Sequence, residues 1–283
     1  MCNGSIMDKL ISFSLPLMVS GILQLAFNAV DIIVVGRFSG SQALAAVGST
    51  TALINVFANL FIGISLGANV LAASFYAAGK DREMSETVHT SITLALISGI
   101  MMAVIGVLLA KWALEIMGTP DDVIGQSALY MRIYFMGMPF FMLYNYGAAI
   151  LRAIGDTKRP LIFLIISGIA NAALNMILVI LFHMGVAGVA IGTIISQLIS
   201  CVLVLTCLYR SEGSYQLRFS KLKINGAYME QIFQVGVPAG IQSTVINLSN
   251  ALLQSSVNSF GSIAMAGYTA ANNILGFLYM SVN

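Results

Sequence analysis

The sequence consists of long apolar runs separated by short segments that hold most of the charged residues. Each run is close to the roughly 20 residues that an α-helix needs to cross the hydrocarbon core of a bilayer. The pattern therefore predicts eight membrane-spanning helical segments, at residues 10–35, 45–76, 88–111, 127–150, 161–182, 186–209, 229–258 and 263–283.

Composition agrees with a chain that is surrounded by lipid. Of the 283 residues, 58% are hydrophobic and only 8% are charged, whereas roughly 25% of the residues of a soluble domain are charged. We therefore expect an all-α integral membrane protein, multi-pass in the plasma (inner) membrane, with the lipid bilayer as a partner. The net charge of +2 reflects membrane topology, and we predict no nucleic-acid partner.

Basic residues are distributed unevenly between the two ends of the predicted helices. With a cytoplasmic N-terminus, ten of the 13 Lys and Arg residues fall inside, and Arg37, Lys111 and Arg132 fall on or near the outer side. Because cytoplasmic loops carry an excess of Lys and Arg, the N-terminus is predicted to be cytoplasmic. The first run is too long for a cleavable signal peptide and lacks a small-residue cleavage site, so we interpret it as a retained helix.

The first and seventh segments resemble each other. The stretch beginning at Leu15 has a counterpart beginning at Val237, an offset of 222 residues. The matched pairs include Pro16 with Pro238, Asn28 with Asn250 and, after a slip of one residue, Gly40 with Gly261. Six helical segments separate the start of one copy from the start of the other. Because six is an even number, both copies enter the membrane from the same side. The halves are therefore predicted to be parallel repeats.

This repeat predicts the domain organisation. A first six-helix lobe covers residues 1–210, a cytoplasmic inter-lobe linker covers 211–228, and the start of a second lobe covers 229–283. Doubling the offset implies a complete, monomeric protein of twelve helices and roughly 440 residues. We interpret the chain as lacking the last four helices, and the reason for its stop at Asn283 is left open.

Polar residues on the first segment lie on one helical face. Ser20, Gln24, Asn28 and Asp31 are spaced by four, four and three residues. Asp31 is the only acidic residue deep in any segment, and an ionisable group within a membrane is costly enough to indicate function. We predict that Asp31 exchanges a proton or a small cation as its exposure changes. The alternative is that Asp31 only pairs with Arg37 at the outer interface.

Polar side chains on two later segments lie at a similar depth. Asn171 and Asn175 share a face of the fifth segment, and Thr193 lies on the sixth. At ~1.5 Å per residue, Asp31 is roughly 6 Å from its outer helix end, and Asn175 and Thr193 are roughly 10 Å from theirs. These residues are predicted to converge in one cluster. Ordinary hydrogen bonding between helices would also explain them.

Further polar faces predict a water-accessible cavity between the halves. The seventh segment carries a polar stripe without an acid, since Leu253 aligns with Asp31. The fourth is rich in Met and aromatic residues, which suit either an apolar or cationic ligand or plain helix contacts. The candidate cavity-lining residues are Gln24, Asn28, Asn55, Asn247, Asn250 and Tyr144.

Two other sets of residues are interpreted as having structural rather than functional roles. Glycines spaced by four residues allow helices in lipid to approach closely; they are Gly63 and Gly67, and Gly188 and Gly192. The two histidines, His89 and His183, fall near predicted helix ends and are interpreted as interfacial.

Five pieces of the sequence resemble, in order, the multidrug and toxic compound extrusion (MATE) family, and the similarity covers essentially the whole chain. They are Pro16 followed by VDIIVVGRFSG, AAGKDRE after the second segment, LRAIGDTKRP before the fifth, IANAALN within the fifth, and GVAGVAIGTIISQ opening the sixth. The family has two six-helix lobes and exports organic cations and drugs in exchange for Na⁺ or H⁺. The resemblance therefore implies a secondary antiporter with a small-molecule organic cation or drug as substrate.

The resemblance also implies roles for individual residues. Asp31 matches the first-helix acid of the family, taken as its cation or proton site, and Asn171 and Asn175 match the polar pair beside it. Thr193 matches a hydroxyl of the same cluster in some members, and Pro16 matches a proline associated with bending of the first helix. Some members have Asp at the position of Asn175, and others have a seventh-helix acid without counterpart here, so the coupling ion stays open.

Two alternatives remain at this point. A lipid-linked oligosaccharide flippase of the same superfamily would require several cationic residues for pyrophosphate, and only Arg132 lies within these segments away from their edges. A non-functional truncated membrane fragment is the other. The sequence contains no phosphate-binding loop, enzymatic triad or metal cluster. We therefore expect no enzyme, no cofactor and no metal, apart from Na⁺ or H⁺ as coupling ion.

Overall fold

The structure is a computed structural model that describes residues 6–282. Residues 1–5, where the first predicted lobe begins, and residue 283, where the second ends, lie outside the described residues. The side chain of Lys9, predicted to be one of the cytoplasmic cations, also lies outside them. The α-helices are α1 (Ile6–Phe38), α2 (Ser41–Ala77), α3 (Asp81–Ile116), α4 (Asp121–Met136), α5 (Met138–Ala153), α6 (Lys158–Met176), α7 (Gly185–Arg210), α8 (Gly226–Asn258) and α9 (Ser262–Val282). A π-helical turn, Ile177–Leu181, follows α6, and a 3₁₀ turn, Phe219–Lys221, precedes α8.

Each of the eight predicted segments coincides with helix, which confirms the all-α membrane fold. Within residues 6–282, five helical stretches are long and apolar enough by themselves to cross a membrane. They are Leu10–Phe38, Ser41–Ala77, Asp81–Ile116, Lys158–Leu181 and Gly185–Arg210.

The prediction of one continuous fourth helix over 127–150 is wrong. This segment consists of α4 and α5, which meet at Gly137. Pro139 has no N–H to donate to the carbonyl of Phe135, and a proline ring clashes with the carbonyl four residues earlier. The carbonyl of Gly137 instead accepts from the N–H of Phe140 at 3.1 Å and of Phe141 at 3.2 Å, which starts a new helix.

The turns that follow the two copies of the repeat have the same geometry. Gly40 and Gly261 both have φ of +89°, a value that glycine adopts without steric cost. Each follows a 33-residue helix that continues through an internal proline, Pro16 in α1 and Pro238 in α8. The pairing of Gly40 with Gly261 therefore corresponds to a repeated backbone conformation.

Helix α2 lies at the centre of the molecule, because it contacts α3, α4 and α5 as well as α8 and α9. Helix α1 packs on α6, and α6 packs on α7. In the fourth segment Phe135, Met138, Met142 and Tyr146 are completely or almost completely buried. Their burial supports helix contacts, rather than a ligand, as the role of these Met and aromatic residues.

Helix α8 packs closely on α2 of the first lobe, through glycines of both helices. A Cβ at Gly63 would overlap the backbone of Gly240, and one at Gly67 would overlap the carbonyl oxygen of Ile232. A Cβ at Gly236 would lie 2.6 Å from the Cα of Ile64. The predicted role of Gly63 and Gly67 in close helix contacts is thus observed, and their partner is the first helix of the second lobe.

The C-terminal end of α8 is bonded to the C-terminal end of α3. The carbonyl oxygen of Met117 accepts from Ser255 Oγ at 3.1 Å and from Asn258 Nδ2 at 3.0 Å. Gln254 Nε2 donates to Asn258 Oδ1 at 2.9 Å. The last carbonyls of a helix have no partner within it, so α8 satisfies an acceptor of the first lobe. This end of the polar stripe is therefore buried between helices.

His89 is buried, with only 4% of its surface exposed, and its position at the membrane interface stays a prediction. Its Nδ1 lies 2.6 Å from the carbonyl oxygen of Ser85, and its Nε2 accepts from the backbone N–H of Arg218 at 3.1 Å. A neutral imidazole with the proton on Nδ1 makes both bonds. His89 thus attaches the inter-lobe linker to α3.

Asn225 forms a second attachment of the linker to α3. Its Nδ2 donates to Glu86 Oε2 at 2.7 Å, and its backbone N–H donates to Thr90 Oγ1 at 3.2 Å. Its Oδ1 accepts from the N–H of Ala227 at 3.1 Å and so caps α8. The cap of α8 is therefore fixed to the first lobe.

Replacing His89 with Leu is expected to loosen the linker. The change removes the acceptor of the Arg218 N–H, and a typical hydrogen bond of this kind contributes about 0.5–1.5 kcal/mol. Tryptic cleavage between 218 and 223 in detergent should be several times faster than in the unmodified chain. Ser91→Ala is the control, because Ser91 Oγ bonds only to Thr87 of its own helix. Equal cleavage rates in the two variants would contradict the attachment through His89.

Candidate functional site

Asp31 of α1 is directed at α6, where Asn175 Nδ2 donates to its Oδ1. Asn175 is completely buried and Asp31 is half-buried. None of the ion pairs formed by the described residues joins Asp31 to Arg37. The alternative of an Asp31–Arg37 pair is therefore not realised, and Asp31 is bonded to a neutral amide.

The predicted cluster of Asp31, Asn171, Asn175 and Thr193 is present. Asn175 Nδ2 also lies 3.4 Å from Asn171 Oδ1, and Asn171 Nδ2 lies 3.5 Å from Thr193 Oγ1. These two contacts are longer than a typical N–H···O bond, so the amides are held near one another without strong bonds. Three helices, α1, α6 and α7, thus contribute to one polar site, and its coupling role stays a prediction.

The cluster lies deeper on α1 than the sequence predicted. Helix α1 ends at Phe38, so Asp31 is seven residues, or about 10 Å, from the C-terminal end of α1. Thr193 is eight residues from Gly185, the start of α7, or about 12 Å along that helix. The sequence had placed Asp31 less deep than its partners Asn175 and Thr193. Because α1 is longer than predicted, this difference in depth disappears.

Asn175 Oδ1 is a buried acceptor without a hydrogen-bond partner among the described residues. It is directed at Gly192 of α7, where a Cβ would overlap it. A buried amide oxygen that lacks a partner costs about 1–3 kcal/mol, so its placement beside a carboxylate favours a ligand that brings positive charge or a proton. Gly192, assigned from sequence to helix contacts, makes the space for this oxygen.

The π-helical turn begins two residues after Asn175. Such turns change the register of side chains and are frequent at functional sites. Gly188 of α7 packs against this turn, because a Cβ there would lie 3.2 Å from Leu178. The glycines of α7 thus serve both the cluster and the adjoining turn.

Three further polar residues of α4 and α7 were not assigned to the site from sequence. Tyr130 of α4 is buried and Tyr134 is half-buried, and their rings are 6.0 Å apart. Gln197, one turn after Thr193 on α7, has a buried Oε1 without a partner in the described chain. The available signal was the spacing of four residues, between Tyr130 and Tyr134 and between Thr193 and Gln197. The apolar residues that surround the two tyrosines on α4 concealed this signal.

The candidate cavity-lining residues differ in their surroundings. Three of them are exposed: Gln24, Asn28 and Asn250. Asn247 Nδ2 donates to the carbonyl of Ser243 at 2.8 Å, within its own helix. Asn55 is half-buried, and its carbonyl accepts from Asn59 Nδ2 at 2.7 Å. A role in lining a cavity stays a prediction for these five residues.

Tyr144 has a structural partner inside the first lobe. Its hydroxyl donates to the carbonyl oxygen of Pro160, at the start of α6, at 3.3 Å. This bond links α5 to α6. Tyr144 is half-buried, and its assignment to a cavity wall stays a prediction.

Pro16 is buried within α1, which continues as helix on both sides of it. Its missing N–H leaves the carbonyl of Ser12 without its usual helical partner. Ser20 Oγ donates to the carbonyl of Pro16 at 2.7 Å. Bending of α1 at Pro16 stays a prediction.

Comparison with known proteins identifies relatives of this chain. The MatE family model matches residues 16–177, which include Asp31, Asn171 and Asn175. The chain is 34% identical to the probable multidrug resistance protein YoeA of Bacillus subtilis (strain 168), over 95% of this chain and 59% of that protein. It is 26% identical to the multidrug export protein MepA of Staphylococcus haemolyticus (strain JCSC1435), over 97% of this chain and 61% of that protein.

Solved structures have the same fold. The MATE multidrug transporter DinF-BH, in a ligand complex, superposes with a TM-score of 0.90 at 22% identity, over 98% of this chain and 62% of that one. The inward-facing conformation of a multidrug resistance MATE family transporter of the MOP superfamily gives 0.82 at 21% identity, over 95% and 63%. The chain spans about three fifths of the length of the curated relatives it matches. The family model and the 34% identical relative show that this chain belongs to the MatE family, the multidrug and toxic compound extrusion transporters.

Proposed function

We propose that this chain supplies the ion-coupled lobe of a secondary antiporter that exports organic cations or drugs in exchange for Na⁺ or H⁺. The observation that carries the proposal is the buried polar site, in which Asp31 is bonded to Asn175 while Asn175 Oδ1 has no partner in the described chain. The site combines a carboxylate, two amides and a hydroxyl in one lobe.

The oxygen atoms of the site suit either coupling ion. Hard cations prefer carboxylate, carbonyl and hydroxyl oxygens, and Asp31, Asn171, Asn175 and Thr193 carry these groups. A proton would instead bind Asp31 directly. Either ion neutralises a carboxylate that is held within the membrane, which removes the cost of its charge there.

Ion binding would change the equilibrium between two conformations of the transporter. A ligand shifts such an equilibrium only by the difference in its affinity for the two states. When Asp31 is neutralised, α1 can pack against α6 and α7 without a buried charge. We infer that this favours a bend of α1 at Pro16 and release of the substrate, with the two lobes alternating in access.

The substrate class is inferred from relatives. YoeA and MepA carry multidrug names, and DinF-BH is described as a multidrug transporter. We propose an organic cation or drug as substrate, and a monomeric transporter in the cell membrane with a cytoplasmic N-terminus. Within the described residues, no observation favours the oligosaccharide flippase, since Arg132 is exposed and α4 carries no second Lys or Arg beside it.

The test is transport by the whole protein, with both lobes, in proteoliposomes. Efflux of a fluorescent organic cation is followed while Na⁺ and pH gradients are imposed one at a time. Acceleration by one gradient would support antiport and identify the ion. Efflux that responds to neither gradient would refute ion coupling, and transport of lipid-linked sugar without drug would refute the substrate class.

Replacing Gly192 with Ala is expected to weaken cation binding at the site. The new Cβ would occupy the position of Asn175 Oδ1, and overpacking of this kind costs about 1–3 kcal/mol. We expect the stabilisation of the purified chain by Na⁺, or by low pH, to shrink by several degrees in a thermal unfolding assay.

Gly125→Ala is the matched control for this change. Gly125 is a helical glycine of α4, and an added methyl group there would have nothing within 4 Å. The control variant should keep the full ion response. An equally large response in Gly192→Ala would show that Gly192 does not position Asn175.

A further inference from the structure

The end of α7 and the inter-lobe linker together carry an exposed surface with both cations and apolar side chains. This surface, the linker patch, comprises Tyr209, Arg210, Arg218, Phe219, Lys221, Leu222 and Lys223. Between residues 209 and 225 the chain has four basic residues and one acid, Glu212. None of the four cations belongs to an ion pair formed by the described residues.

The apolar members of the linker patch are exposed beside these cations. Tyr209 is 53% exposed, Phe219 is 54% exposed and Leu222 is 36% exposed. The rings of Tyr209 and Phe219 stack with their centroids 5.8 Å apart. Tyr209 lies one residue before the end of the apolar stretch Gly185–Arg210, so the stacked rings lie at the end of a membrane-crossing helix.

The patch is held in place by contacts on the opposite side of the linker. Leu217 is completely buried, and its N–H donates to the carbonyl of Leu208 at 3.0 Å. The N–H of Arg218 is bonded to His89, and Asn225 is bonded to Glu86. The charged and aromatic side chains therefore face away from the lobe on a backbone that is already ordered.

We propose that the linker patch docks on the anionic phospholipid headgroups of the leaflet next to it. Aromatic side chains are enriched where a helix leaves the membrane, because their rings prefer the headgroup region. Clusters of Lys and Arg just outside a membrane helix bind anionic lipids electrostatically. An exposed Phe and Leu between the cations add apolar surface that can enter the headgroup boundary.

The location of the patch favours a lipid over a soluble anion. A free phosphate would use the cations alone and leave Phe219 and Leu222 in water, whereas a bilayer surface contacts both sets of side chains. The linker joins α7 to α8, so docking would hold the connection between the lobes at the membrane surface.

The test uses the chain in nanodiscs of phosphatidylcholine alone or with about a third phosphatidylglycerol, at low salt. Chymotryptic cleavage after Phe219 reports exposure of the patch. We expect the anionic lipid to slow this cleavage at least about threefold, and about 0.5 M NaCl to remove the protection, because salt screens charges at this distance.

Two charge-matched triple variants make the test specific. Arg218→Gln with Lys221→Gln and Lys223→Gln should lose the protection. The control, Arg37→Gln with Lys111→Gln and Arg132→Gln, removes three exposed cations far from the linker and should keep it. The salt response of the unmodified chain tests the proposal even where a variant fails to fold.

Three outcomes would overturn the proposal. One is equal cleavage of the unmodified chain in the two nanodiscs at low salt. Another is equal protection by soluble glycerophosphoglycerol in phosphatidylcholine nanodiscs, which would indicate a soluble-anion site. The third is protection that persists in the linker variant at the level of the control variant.

Discussion

Replacing Asp31 with Asn is expected to abolish the response of drug efflux to an imposed Na⁺ or H⁺ gradient while leaving the fold intact. The new amide has the same shape as the carboxylate, and its oxygen can still accept from Asn175 Nδ2. The negative charge that attracts a cation or binds a proton is lost. The variant therefore separates the ion-binding role of Asp31 from its contribution to helix contacts.

The expected effect is large because coupling free energies between sites correspond to about 5- to 150-fold changes in affinity. Gradient-driven efflux by the whole protein in proteoliposomes should fall at least about tenfold, to the level seen without a gradient. Thermal unfolding of the variant in detergent, without added coupling ion, should stay within a few degrees of the unmodified protein.

Asp122→Asn is the matched control for the Asp31 variant. Asp122 is an exposed acid in the first turn of α4, where a charge near a helix N-terminus contributes only about 0.3–1 kcal/mol. Its replacement should leave coupling unchanged. Undiminished gradient-driven efflux in Asp31→Asn would refute the proposed site, even if the protein transports drugs.

The positions of the helices could be predicted from sequence because apolar length is decisive in lipid. The break at Gly137 could not, since an apolar run does not show where a helix is interrupted and Pro139 is tolerated within many membrane helices. The C-terminal extension of α1 to Phe38 was also missed, because Arg37 is charged and was placed beyond the helix. That extension is what brings Asp31 level with its partners.

The polar cluster could be predicted because polar side chains in a membrane helix turn away from lipid. Helical spacing then selects Asn171 and Asn175 on one face. Gly192 could not be assigned in this way, since a glycine shows nothing in the sequence about which atom occupies the space beside it. The partner of His89 could not be predicted for a similar reason, because Arg218 is 129 residues away in the chain.

The contacts of α8 suggest how the two lobes are related in this conformation. Helix α8 is bonded to α3 near both of its ends, through Asn225 and through Asn258. Between these ends its glycines lie against α2. Movement of the second lobe away from the first would therefore have to separate a continuous contact between helices. Its least adaptable part is the crossing of α2 and α8, where glycines bring the two backbones together.

Replacing Gly63 with Ala is accordingly expected to destabilise the chain. The added Cβ would overlap the backbone of Gly240, and backbone atoms cannot rotate away as a side chain can. The helices would have to separate, at a cost of about 3 kcal/mol, the upper end of the usual range for overpacking. Thermal unfolding in detergent should show a fall of several degrees.

Gly267→Ala provides the matched comparison, because a Cβ at this helical position of α9 has nothing within 4 Å. Since Ala is favoured over Gly in a helix by about 0.8–1.0 kcal/mol, this variant should be as stable as the unmodified chain or slightly more so. If Gly63→Ala were equally stable, α2 and α8 would not be in contact at this crossing. Both variants replace a helical glycine with alanine, yet Gly63→Ala is expected to lower the thermal stability and Gly267→Ala to keep or raise it. The comparison is therefore decisive for the position of α8.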